Sequence, residues 1–284
     1  MNVFEAMLLG IIQGLTEFLP ISSTAHLTLA GRVLGLIDPA HPEKWTSFIA
    51  VIQLGTLAAV LVYFLNDLTQ MARSTVRDLR TIGPTCRFSS YAPPTRMTLY
   101  AVVGTVPIGI IGVLASDALH GMMTKNLLVI AGSLIVLALL LWLAERVAKH
   151  ERGLDNVSMR DALVVGLAQC LALIPGSSRS GTTLTAGLFL GLTREAAARF
   201  SFILSIPAIL ASGVHEMTGL EGNPYQYGTA NLFFATACAA ISGYAAIAWL
   251  LRFLMSRTTM VFVWYRVILG VVIFWLLFNG SVQP

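Results

Sequence analysis

Apolar runs separated by short polar clusters make up most of the 284 residues. The runs at 46–65, 97–118, 127–145, 198–216, 230–251 and 261–279 approach the ~20 residues that a helix needs to cross a bilayer. Two other apolar stretches are broken in the middle. Residues 3–19 and 24–36 meet at the polar turn Pro20–Thr24, and 161–192 is interrupted at 175–183. None of these pieces spans comfortably by itself, so each pair reads as a re-entrant helical hairpin with a polar tip. The prediction is an all-α polytopic integral membrane protein with six transmembrane helices plus two re-entrant helical hairpins. Pro107 is expected to kink its span, Trp45 to sit at a membrane interface, and 66–96 to form the longest loop.

The broken stretches also repeat one another. Glu5-Ala-Met-Leu-Leu-Gly10-Ile-Ile-Gln13 aligns without a gap with Asp161-Ala-Leu-Val-Val-Gly166-Leu-Ala-Gln169. Pro20-Ile-Ser-Ser23 matches Pro175-Gly-Ser-Ser178, Ala30-Gly matches Ala186-Gly, and Phe48-Ile-Ala-Val-Ile52 parallels Phe200-Ser-Phe-Ile-Leu204. Matches in one order point to an internal duplication within a single membrane domain, 1–155 and 156–284. One hairpin and three crossings in each half invert the second copy, an inverted-topology repeat of the kind used by transporters.

Composition agrees with a membrane protein. Charged residues are 11% of the chain and the mean hydropathy is +0.77, whereas soluble domains carry roughly 25% charged residues. The net charge of +4 comes with no basic cluster interleaved with aromatics, so no nucleic-acid partner is expected. Under the six-span count most of the 18 Lys and Arg fall on one side, in 66–96, 146–160 and at Arg194, Arg199, Arg252 and Arg257. Loop 217–229 on the other side has Glu221 and no basic residue. The positive-inside rule then places both termini in the periplasm of a bacterial inner membrane. Cys86, Cys170 and Cys238 show no disulfide or zinc spacing. Glu5 and the missing basic n-region make 1–19 mature protein rather than a signal peptide.

The tips hold the candidate chemistry. The first offers Gln13, Glu17, Ser22, Ser23, Thr24 and His26; the second offers Ser178, Arg179, Ser180 and Thr183. A serine run at a helix N-terminus caps it, and also binds anions through free N–H groups. His26 follows Ser23 by three residues, which suits a nucleophile beside its base, or a histidine that is itself the nucleophile. Arg179 has the planar fork that matches phosphate oxygens. Each residue also has an ordinary use. The serines can be caps alone, Gln13 and Gln169 can satisfy backbone, and Arg179 can form a structural ion pair with Glu17. His41, His120, His150 and His215 read as interfacial, Glu145 and Arg146 as a membrane-edge pair, and Arg266 is given no chemistry.

The stretches Gln13-Gly-Leu-Thr-Glu17-Phe-Leu-Pro20-Ile-Ser22-Ser23-Thr24-Ala-His26 and Pro175-Gly-Ser-Ser178-Arg179-Ser180-Gly-Thr-Thr183 closely resemble the two signature motifs of the bacterial undecaprenyl-diphosphatase (bacitracin resistance) family. The resemblance runs over the full length. It implies hydrolysis of undecaprenyl diphosphate to the monophosphate, which recycles the lipid carrier for cell-wall synthesis and confers bacitracin resistance. Gln13 and Glu17 give the single-carboxylate version of the first motif. The expected mechanism is in-line attack at the terminal phosphorus. Glu17, Ser23, His26 and Arg179 are catalytic, with Ser23 activated by His26 as the preferred nucleophile. Gln13, Ser22, Thr24, Ser178, Ser180 and Thr183 bind substrate. No tightly bound cofactor is expected; Mg²⁺ or Ca²⁺ is held at Glu17 if at all. A polyprenyl-phosphate flippase or an anion transporter is the alternative on the same repeat.

Overall fold

The computed structural model describes residues 1–38, 40–84, 88–114, 126–218 and 227–282, with the backbone alone at 42 and 214–218. Cys86, Arg87, His120, Lys125 and Glu221, and the side chain of His215, lie outside this description. The helices in order are α1 (Val3–Phe18), α2 (Ser23–Val33), α3 (Pro42–Tyr63), α4 (Leu65–Thr81), α5 (Pro93–Leu114) and α6 (Leu127–Val147). They are followed by α7 (Met159–Gln169), α8 (Arg179–Phe189), α9 (Arg194–Thr218), α10 (Thr229–Ser256) and α11 (Met260–Phe278). Six of them, α3, α5, α6, α9, α10 and α11, are long and apolar enough to cross a membrane, and they fall on the six apolar runs. The chain is an all-α, multi-pass membrane protein.

The two broken stretches form the pairs α1/α2 and α7/α8. Leu19 and Ile174 each precede a proline and are extended, because the proline ring disfavours helical backbone in the residue before it. Ser22 (φ 73°) and Ser178 (φ 66°) then lie in the left-handed region that most L-residues avoid, a strain of about 1–3 kcal/mol each. Each caps an 11-residue helix, accepting the amide of Ala25 or Gly181 on its hydroxyl. Each of those helices ends before a positive-φ glycine, Gly35 or Gly191. The two matching stretches of sequence therefore adopt the same local structure.

Backbone-close packing holds the first pair. α1 lies along α10 in the most extensive helix pairing. A Cβ at Gly10 would stand 2.1 Å from the Ala235 oxygen, and one at Gly14 would stand 2.0 Å from Ser242 Oγ and 2.5 Å from the Ala239 oxygen. Small residues permit this approach, which in lipid replaces the hydrophobic drive that water would supply. Gly14→Val is therefore expected to cost about 3 kcal/mol or more. Yield of monodisperse protein by size exclusion in detergent checks this, and wild-type recovery would contradict it.

Two expectations change. Residues 66–96 are not loop throughout: α4 occupies Leu65–Thr81. Leu65, Leu68, Ala72, Val76 and Leu79 recur at helical spacing, and Leu68 and Met71 pack into the core. At its end Asp78 accepts the Ala92 amide and the Thr95 hydroxyl, both at 2.8 Å, tying α4 to the start of α5. These bonds, led by the amide, hold the Asp78 carboxyl below its usual range. Trp45, in the first turn of α3, is buried and fills the space beside Gly31, where a Cβ would stand 2.5 Å from its ring. Glu145 pairs with Arg194, whose Nε donates at 2.6 Å, and accepts from Thr259 at 2.8 Å. Arg146 instead lies over the Trp142 ring.

Candidate active site

The tip of α1/α2 and the tip of α7/α8 meet. Phe18 packs edge-on against Phe202 of α9, with ring centroids 5.2 Å apart, and both belong to the largest buried cluster, with Leu184 of α8. Ser180 Oγ donates to the Leu19 carbonyl at 3.0 Å, joining the tips directly. Glu17 sits at this junction, buried, with both oxygens engaged. Oε1 accepts Arg179 Nη2 at 2.5 Å; Oε2 accepts Gln13 Nε2 at 2.9 Å and Ser23 Oγ at 2.8 Å. Arg179 Nη1 reaches the Ser205 carbonyl on α9 at 3.2 Å. Around it, Ser178 Oγ and Ser180 Oγ are 3.2 Å apart, and the Thr183 and Ser201 hydroxyls 2.6 Å apart. Thr24 is half-buried at the next position along α2. Carboxylate, hydroxyl and guanidinium thus form one continuous polar unit between apolar walls.

His26 departs from the expected arrangement. It does not bond to Ser23 or to Glu17. Its Nδ1 lies 2.7 Å from the Ser22 carbonyl, which only accepts, so Nδ1 carries the proton. Nε2 then accepts from the Tyr265 hydroxyl of α11 at 2.6 Å. The positive-φ turn at Ser22 aims its carbonyl at the imidazole and sends the Ser23 hydroxyl back to Glu17.

Arg266, expected to carry no chemistry, also lies against the second tip. It is fully buried, and Nη2 donates to the Ser177 carbonyl at 3.0 Å. Among the described residues its Nε and Nη1 find no partner, and neither do Ser177 Oγ, Gln13 Oε1 or either amide atom of Gln169. Gly181 makes room for it, because a Cβ there would stand 2.7 Å from Nη1. A buried guanidinium against the first turn of α8, where the helix dipole is positive, is a place prepared for an anion. Its position inside a 19-residue apolar span was the available signal. Among the described residues no three His, Cys, Asp or Glu side chains cluster for a metal ion, and Glu17 is the carboxylate at the tips.

A family model described as bacitracin resistance protein BacA matches residues 6–272. The chain belongs to that family. Among its relatives, the undecaprenyl-diphosphatase of Syntrophobacter fumaroxidans is 49% identical over 282 residues, covering 99% of this chain and 100% of the relative. That of Myxococcus xanthus is 48% identical over 284 residues, covering 100% and 92%. That of Chlorobium chlorochromatii is 44% identical over 295 residues, covering both chains fully. For a member of the BacA family, the polar unit at the two tips is the part of the molecule with groups suited to phosphate chemistry.

Proposed function

We propose that this chain hydrolyses undecaprenyl diphosphate to undecaprenyl phosphate and inorganic phosphate, recycling the lipid carrier for cell-wall synthesis and conferring bacitracin resistance. The observation that carries the reading is Glu17 bonded at once to Ser23 and to Arg179, across two tips separated by half the chain. Phosphoryl transfer needs charge neutralisation and an aligned nucleophile more than covalent help. Arg179 and Arg266 supply two cations, and the hydroxyls of Ser178, Ser180, Thr183, Ser22 and Thr24 surround the phosphates. When the diphosphate draws Arg179 away, Glu17, already hydrogen-bonded to the Ser23 hydroxyl, takes its proton. Ser23 Oγ then bonds to the terminal phosphorus as the bridging P–O bond breaks and the lipid monophosphate leaves. Water, deprotonated by His26, cleaves the phosphoserine. Glu17 thus replaces His26 as the partner of Ser23. If Mg²⁺ or Ca²⁺ were bound, Glu17 would be the residue to hold it, and the ion would offset phosphate charge.

The matched caps, strained serines and glycine stops support an inverted repeat of 1–155 and 156–284, with both hairpins re-entrant and their tips meeting mid-membrane. The basic loops support a bacterial inner membrane with periplasmic termini. The test uses purified protein in detergent, where flipping or transport of the lipid has no meaning. With substrate labelled at the terminal phosphate, wild type releases labelled phosphate and carries acid-quenched label on Ser23. Ser23→Ala is expected to lose about 10³-fold in rate and to carry none. Wild-type turnover by Ser23→Ala sinks the mechanism.

A further inference from the structure

The His26 contact has a second residue in it that no sequence motif marks. Tyr265 lies on α11, next to Arg266, and α11 packs mainly on α6 while α2 packs mainly on α1. The Tyr265–His26 hydrogen bond of 2.6 Å is a polar link between α2 and α11, which also contribute Ala25 and Ile273 to one buried apolar cluster. The two rings lie within 7° of parallel, with centroids 5.6 Å apart. Tyr265 is exposed at the outer face of α11, whereas its neighbour Arg266 is fully buried at the second tip. Consecutive residues of one helix therefore serve both tips, one from the lipid side and one from within.

We propose that Tyr265 is a positioning residue for His26, holding the imidazole at the lipid-facing edge of the site with Nε2 as its free base. The inference deepens the role given to His26 above and rests on it. An imidazole bonded through Nδ1 alone can still swing about that contact; a second bond at Nε2 removes this freedom. The Ser22 carbonyl selects the tautomer, and the tyrosine hydroxyl selects the direction. The position also fits a lipid substrate. A polyprenyl tail must leave the polar tips for the bilayer, and the outer edge between α2 and α11 is where His26 and Tyr265 meet the surface. Water or substrate displaces the tyrosine hydroxyl from Nε2 without moving the ring.

Tyr265→Phe separates this from a packing role, since it keeps the ring and removes only the donor. The first readout is independent of turnover: the rate at which diethyl pyrocarbonate modifies His26, followed by mass spectrometry in the full-length protein in detergent. Loss of the hydroxyl is expected to speed modification of His26 about fivefold, the worth of one ordinary hydrogen bond, and to leave the exposed His41 unchanged. The second readout is hydrolysis of the lipid diphosphate. Here kcat is expected to fall about fivefold while KM stays within about twofold. Tyr265→Leu, which changes an exposed helical position, gives the same acceleration at His26 if Tyr265→Phe is poorly recovered. His26 modified at the wild-type rate in both variants overturns the proposal. Faster modification with wild-type kcat also overturns it, by showing that the contact does not serve catalysis. If the wild type hydrolyses no diphosphate, the labelling result still stands or falls by itself, and the failure belongs to the function rather than to the contact.

Discussion

Arg179→Gln is expected to reduce release of phosphate from the lipid diphosphate by about 10³-fold or more. The cation joined to Ser23 through Glu17 is lost, and with it the charge that offsets the departing phosphate. The single variant also leaves Glu17 buried without its counter-charge, which costs about 3–5 kcal/mol. Lower activity could then reflect poor folding, and the double variant Glu17→Gln/Arg179→Gln resolves this. Two neutral amides restore a hydrogen-bonded pair where Glu17 Oε1 met Arg179 Nη2, so thermal stability should return toward wild type. Hydrolysis should not return. Recovery of both stability and turnover would make the pair structural and remove Arg179 from the chemistry. Detergent-solubilised protein, assayed for phosphate release and for unfolding temperature, gives both numbers.

Arg266→Met is expected to lower turnover by about a hundredfold and, unlike the first variant, to raise the unfolding temperature. Arg266 is fully buried, and among the described residues no carboxylate bonds to it and two of its three nitrogens have no partner. Such a charge is expensive to hold in an apolar span, and a flexible apolar side chain of similar length removes that cost. Excess inorganic phosphate should stabilise the wild type and leave Arg266→Met unmoved, because a ligand stabilises only the state that binds it. Thermal scans with and without phosphate measure this. A loss of stability in Arg266→Met, together with unchanged turnover, would assign the residue to the scaffold.

Much of the fold was legible because its signals are local. Length and apolarity mark the six spans. Pro20 and Pro175 mark the breaks, and Gly35 and Gly191 the ends of the short helices. α4 is legible too, since its apolar residues recur at helical spacing among Arg73, Arg77 and Arg80. Ser23, Glu17, Arg179 and His26 stood out because hydrocarbon does not tolerate such groups without partners. Their pairing was harder to read. Ser23 and His26 share a helical face by spacing, yet the left-handed turn at Ser22 bonds one to Glu17 and the other to its own carbonyl.

The sequence by itself determined the six spans, where two further apolar stretches break, and that the breaks carry matching sequence with different polar residues. Only the tertiary structure decided who meets whom: Glu17 with Arg179, His26 with Tyr265, and Arg266 with the first turn of α8. The physical reason lies in the solvent. In water, a helix advertises its buried face by contrast with its polar one. In lipid both faces are apolar, so sequence periodicity does not reveal which neighbour a span packs against or which way a lone arginine points. Close contacts such as Gly14 on Ala239 and Gly181 beside Arg266 set those directions, and through them the geometry of the site.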